Sequence, residues 1–173
     1  MTRLTADSRH HVEFLLNGSP VRGDAAPRLL LTDFLRQHIG ATGTHVGCEH
    51  GICGACTITT DGMLTRACLT LAVQVDGSDL RTVEGLSPTG GQLSVLQAAF
   101  KKYHALQCGF CTAGILMSLT HFLKICPSPS EAEIRDVLSG HLCRCTGYTP
   151  IVAAALDAAA TIREDSRSGA SDA

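Results

Sequence analysis

Eight of the nine cysteines in this 173-residue chain fall into two sets of four. In the first set Cys48, Cys53 and Cys56 are separated by four and then two residues, and Cys68 follows after eleven more. The second set opens with Cys108 and Cys111, two residues apart, and closes after thirty-one residues with Cys143 and Cys145. Three cysteines within the nine residues from Cys48 to Cys56 leave that loop little freedom. Their side chains must converge, so the backbone has to wrap around whatever they hold. Glycines at 47, 51 and 54 permit that close approach.

Thiolates are soft ligands that suit zinc and iron–sulfur clusters alike. A structural zinc held by four cysteines usually shows two short Cys pairs. The first set departs from that pattern and carries the plant-type [2Fe–2S] spacing. The second set alone would suit zinc as well. Beside the first, it reads as a second cluster set. A Rieske centre needs two histidines in place of two cysteines. The nearest histidines are His45, His50 and His141. Cys48-x-His50 offers one mixed pair, but no second Cys-x-His pair follows it and the full complement of cysteines is already present, so each histidine reads as a loop or surface residue. Cys126 is left over, and it reads as a small buried apolar residue at the end of a helix.

The bulk composition narrows the class further. With 14 basic and 16 acidic residues and no basic stripe, a nucleic-acid partner is not expected. Met1 to Val12 contains no apolar run, so no secretory signal is expected. The best apolar stretch, Gly114 to Cys126, is too short and too polar to span a bilayer. The cytoplasm is therefore the expected compartment, where cysteines serve metals more often than disulfides. No nucleophile–base pair or phosphate loop stands out, so no catalytic residue is assigned.

The hydrophobic pattern divides the chain in two. From 9 to 84 it reads as short strands around one helix. Val12, Phe14 and Leu16 alternate before the Asn17-Gly18 hairpin turn, and Val21 opens the return strand. Thr32 is the expected cap of a helix over Asp33 to Ile39, ended by Gly40. Cys56 to Thr60 and Met63 to Cys68 flank a second turn at Asp61-Gly62, and Asp79 to Val83 is the last strand. From 91 to 164 the period is helical. Four helices are predicted: around Leu96 and Phe100, from Ile115 to Leu123, after the Ser130/Glu133 capping box, and after Thr149-Pro150. Residues 84–90 form the linker. Residues 1–8 and 165–173 are expected as polar, flexible tails. The fold class is α+β, a β-grasp, plant-type ferredoxin-like domain followed by a four-helix bundle domain.

Three stretches together resemble a known family. Gly47-Cys48-Glu49-His50-Gly51-Ile52-Cys53-Gly54-Ala55-Cys56-Thr57 is similar to the distal-cluster motif of molybdenum hydroxylase iron–sulfur subunits. Leu106-Gln107-Cys108-Gly109-Phe110-Cys111-Thr112 and Leu142-Cys143-Arg144-Cys145-Thr146-Gly147-Tyr148 are similar to the proximal-cluster motif. Ala113 stands where relatives often have Pro. The family includes xanthine and carbon monoxide dehydrogenases and aldehyde oxidoreductases.

The resemblance implies a small electron-transfer subunit of a heteromeric molybdenum-dependent oxidoreductase. Cys48, Cys53, Cys56 and Cys68 then bind the distal [2Fe–2S] cluster, and Cys108, Cys111, Cys143 and Cys145 the proximal one. Gln107 and Cys145 approach the molybdopterin. The implied partners are a large molybdopterin-binding subunit, with the cofactor as cytosine dinucleotide, and a medium FAD-binding subunit. The implied assembly is a dimer of heterotrimers. A free-standing two-cluster ferredoxin, acting as a soluble carrier, is the alternative.

Overall fold

The structure, a computed structural model, describes residues 4–87 and 91–171. The alternation at Val12, Phe14 and Leu16 produces strand β1 (His10–Leu16), with those three residues buried on one face. Asn17 and Gly18 both take positive φ, 52° and 83°, and turn the chain into β2 (Ser19–Ala25). Phe14 faces Val21 in this antiparallel pair. The second hairpin joins β3 (Thr57–Thr60) to β4 (Met63–Arg66) through Asp61 and Gly62, at φ 50° and 81°. Strand β5 (Asp79–Arg81) sits between the hairpins, parallel to β1 and antiparallel to β3. The result is one mixed sheet in the order β2-β1-β5-β3-β4.

A helix packs against the buried face of this sheet. It begins as α1 (Leu31–Asp33) and continues as a π-helical segment, Phe34–Ile39, ending at Gly40 with φ 83°. Leu31, Phe34 and Leu35 are fully buried. The helix starts two residues before the expected Asp33. Thr32 is not its cap: the cap position is Leu30, and the Thr32 hydroxyl is buried without a partner. The reason is tertiary. Leu30 bridges to Leu71, and the Leu31 N–H donates to Thr70 O at 2.8 Å, which pins the chain one residue before Thr32.

The second half is helical: α2 (Val95–Lys102), α3 (Thr112–Ile125), α4 (Glu131–Ser139) and α5 (Thr149–Ser171). The Ser130/Glu133 capping box opens α4 as expected, and an unanticipated Ser94/Gln97 box opens α2. Leu96, Phe100, Ile115, Leu119, Ile134 and Ile151 form the core of this half. The alanines at 154, 155, 158 and 159 give α5 a buried small-residue face, and α2 packs against this helix. The expected C-terminal tail is instead helical as far as Ser171. No Pro or Gly falls between Ile151 and Ser168, so nothing in the sequence stops the helix there. Part of the expected linker, 88–90, and the last two residues lie outside the described segments. No helix among the described residues is long and apolar enough to cross a membrane.

Candidate metal centre

The loop from Cys48 to Cys56 leaves the π-helical segment through residues anchored from behind. Arg36 Nη1 donates to Thr42 O at 2.6 Å and to Thr44 O at 2.8 Å. The loop then reverses through Glu49, Gly51 and Gly54, all at positive φ (55°, 80° and 75°). This winding turns backbone N–H groups inward. The Cys53 N–H points at Cys48 Sγ, 3.4 Å away. That amide, with His50 and Ile52, lowers the Cys48 pKa to about 6. Cys56 and Cys68 lie side by side under the sheet, both buried. Burial pushes the Cys56 thiol up to about 11. The first set thus forms two neighbouring pairs, Cys48 with Cys53 and Cys56 with Cys68.

The second set is built by packing. Cys108 and Cys111 precede α3, and Cys143 and Cys145 lie in the turn between α4 and α5. Cys145 Sγ is 3.5 Å from Cys108 Sγ, and their contact raises the Cys145 pKa. Cys111 is buried beside Cys143, and burial pushes its thiol up to about 12. Burial also acts upward on Cys143, but the Thr146 hydroxyl, 3.1 Å away, and nearby amides outweigh it, so the net direction is down. Tyr148 braces the turn: its hydroxyl accepts from the Cys143 N–H at 2.8 Å and donates to His141 O at 3.0 Å.

These donors suit a binuclear cluster. Each iron of a [2Fe–2S] cluster takes two thiolates, and each set offers two pairs. Among the described residues no group of three or more Cys, His, Asp or Glu converges on a point fit for a single metal ion. The buried thiols Cys56 and Cys111 become ligands only when a cation displaces their protons.

The two sets meet at a tight junction. The Leu142 N–H donates to Cys53 O at 3.0 Å. A Cβ on Gly54 would lie 2.3 Å from His141 Nδ1, and one on Gly114 would lie 2.1 Å from Gly54 O. Only glycine fits at either position. His141, expected as a loop or surface residue, is 2% exposed and shares a 2.8 Å hydrogen bond with Ser118 Oγ. Burial, then the nearby Arg66 charge, lowers its pKa to about 4, so it is neutral here. His45 donates from Nδ1 to Phe110 O at 2.8 Å and stacks on the Phe110 ring. Arg66, Tyr148, His45 and His141 are the residues that sequence reasoning missed or under-read. The only local signal was their position within a few residues of a cysteine.

Gln107 is exposed and makes no hydrogen bond among the described residues. Its neighbours Leu106 and Cys108 are also exposed, as are Phe110, Leu142 and Cys145, and Cys145 lies against Cys108. Cys126 caps the far end of α3 and is half-buried, more exposed than expected.

Comparison with known proteins gives this geometry a family. A 2Fe-2S iron-sulfur cluster binding domain matches residues 14–84, and a [2Fe-2S] binding domain matches residues 82–156. The nicotine 6-hydroxylase small subunit of Paenarthrobacter nicotinovorans is 53% identical over 91% of this chain and 94% of its own length. The chain belongs to the iron–sulfur subunits of the molybdenum hydroxylases. Caffeine dehydrogenase subunit gamma of Pseudomonas sp. (strain CBB1) is 51% identical over 84% of this chain and 88% of that one. In the crystal structure of quinoline 2-oxidoreductase from Pseudomonas putida 86, one chain matches with a TM-score of 0.86 and 48% identity. The match covers 90% of this chain and 97% of that chain. A ferredoxin-like domain followed by a helical domain is therefore the architecture. Electron transfer within a multi-subunit oxidoreductase is the role.

Proposed function

We propose that Cys48, Cys53, Cys56 and Cys68 hold one [2Fe–2S] cluster and that Cys108, Cys111, Cys143 and Cys145 hold the other. The domains are 9–84, a β-grasp unit, and 91–164, a four-helix bundle. When bound, such clusters supply one-electron redox centres, here in series between a molybdenum cofactor and an acceptor. The exposed Gln107 and Cys145 form the edge that approaches the molybdopterin, in cytosine dinucleotide form on a large subunit. The Cys48 loop, with Ile52 and Leu69 exposed at 61% and 60%, faces a medium FAD-binding subunit or another acceptor. Such apolar surface around both loops favours a subunit over a free carrier. The assembly is a cytoplasmic dimer of heterotrimers. The relatives named for nicotine, caffeine and quinoline point to a nitrogen heterocycle as the substrate class of the large partner.

The observation that carries this reading is the double pairing of thiols in each of two sets. Iron analysis of the purified complex tests it. About four irons per copy of this chain, with two distinct EPR signals after reduction, are expected. Dominant zinc, or about two irons, would sink it.

A further inference from the structure

One side chain reaches both cysteine loops. Arg66 lies at the end of β4, two residues before Cys68. Its Nε donates to Gly51 O at 3.3 Å, in the loop between Cys48 and Cys53. Its Nη1 donates to Thr57 Oγ1, just after Cys56. Its Nη2 donates to Gly140 O at 2.9 Å, three residues ahead of Cys143. The fixed fork of a guanidinium can bridge three acceptors in different directions, which an ammonium on a flexible stem does not reproduce.

All three acceptors are neutral. Among the described residues no carboxylate pairs with Arg66. A partly buried charge without an acidic partner is unfavourable unless negative charge lies nearby. A [2Fe–2S] core held by four thiolates is net negative, and reduction adds one more negative charge. Two of the three contacts of Arg66 are with the Cys48–Cys68 half, so its charge acts mainly on that set.

We propose that Arg66 is a positioning residue for electron transfer between the two sets. Its fork fixes the spacing of the two loops, and its charge favours the electron on the Cys48–Cys68 side. This rests on the ligand assignment above. EPR-monitored redox titration of the purified complex tests it, with wild type, Arg66→Gln and Arg66→Lys side by side. Arg66→Gln should lower the midpoint potential of the Cys48–Cys68 cluster more than that of the other. The ratio of electron occupancy between the two should fall roughly tenfold. The magnetic splitting between the two reduced clusters should also change. Arg66→Lys should keep the order of potentials, because the charge remains, yet still alter the splitting, because the fork is gone. Wild-type potentials and splitting in both variants would overturn the proposal. So would loss of iron in both, because Arg66 would then serve assembly and not tuning. If Arg66→Gln alone loses iron, the splitting in Arg66→Lys decides. Failure of the ligand assignment is read separately, from the iron content and EPR signals of the wild type.

Discussion

The two cysteine sets solve one problem by different means. The Cys48 loop is local: three thiols within nine residues, shaped by left-handed backbone at Glu49, Gly51 and Gly54. Its own amides already favour a thiolate at Cys48. The other set is global. Its two halves lie thirty-one residues apart and meet only because α3, α4 and α5 pack together. There, side chains such as Tyr148 and Thr146 do what backbone does in the first loop. A site made by local backbone is sensitive to glycine substitution. A site made by packing is sensitive to the core and to single bracing side chains.

The largest expected effect separates the two sets outright. Cys108→Ser should damage only the helical set and slow substrate-driven reduction of everything downstream. Cys53→Ser should damage only the loop set, leaving substrate able to reduce the helical cluster while transfer to the acceptor stalls. Rapid-mixing spectroscopy on both variants checks this. If Cys53→Ser blocks reduction of the helical cluster while folding stays intact, the proposed order is wrong.

Gly54→Ala comes next, because it strikes the point where both sets touch. The left-handed φ of 75° alone costs about 1–2 kcal/mol for an alanine. The added Cβ also collides with His141 and with the Gly140 carbonyl, so both cluster signals should weaken together. Retention of both signals at the wild-type melting temperature would show that the junction yields easily. Tyr148→Phe should act on one side only. It removes the acceptor for the Cys143 amide and the donor to His141 O, a cost of about 1–3 kcal/mol for the partners left unmade. The helical cluster's EPR signal should shift, and the loop cluster's should not.

The comparison also sharpens through thiol chemistry in protein stripped of iron. Cys48, lowered to about 6, is a thiolate at pH 7 and becomes a thiol as the pH drops through about 6. Cys111, raised to about 12 by burial, stays protonated across that range. Iodoacetamide at pH 7 should therefore mark Cys48 well before Cys111, and its rate at Cys48 should fall below pH 6. Peptide mapping by mass spectrometry reads the order, and equal labelling would refute a preformed thiolate loop.

This difference also explains what the sequence could tell. The Cys48 loop was legible because its geometry is written in consecutive residues: spacing, glycines and the hairpins at Asn17-Gly18 and Asp61-Gly62. The second set was legible mainly beside the first, since its halves are joined only by packing. Thr32 has the residue type of a helix cap, but the helix start is set by pairing of Leu30 with Leu71, a contact forty-one residues away and silent in local propensity. His141 lies in a loop, as its position suggests, but its burial is silent in the sequence for the same reason. Its burial comes from Gly54, Ser118 and Arg66, none of them neighbours in sequence. The C-terminal segment is polar, yet no helix breaker interrupts it before Gly169, so α5 continues to Ser171.

The smallest effect is expected at Cys126, and it tests whether the two sets exhaust the ligands. This residue caps the C-terminal end of α3, whereas Cys111 caps the start. Fourteen helical residues separate the two ends, about 21 Å at 1.5 Å per residue. No thiolate at that distance can share a cluster with Cys111. The thiol is only half-buried, so its loss leaves little cavity. Cys126→Ala should keep the full iron content, both EPR signals and near-normal turnover, with a stability change of about 1 kcal/mol or less. Iron analysis alone decides this. A drop in iron would mean that a ninth ligand had been overlooked and that the division into two sets of four is wrong.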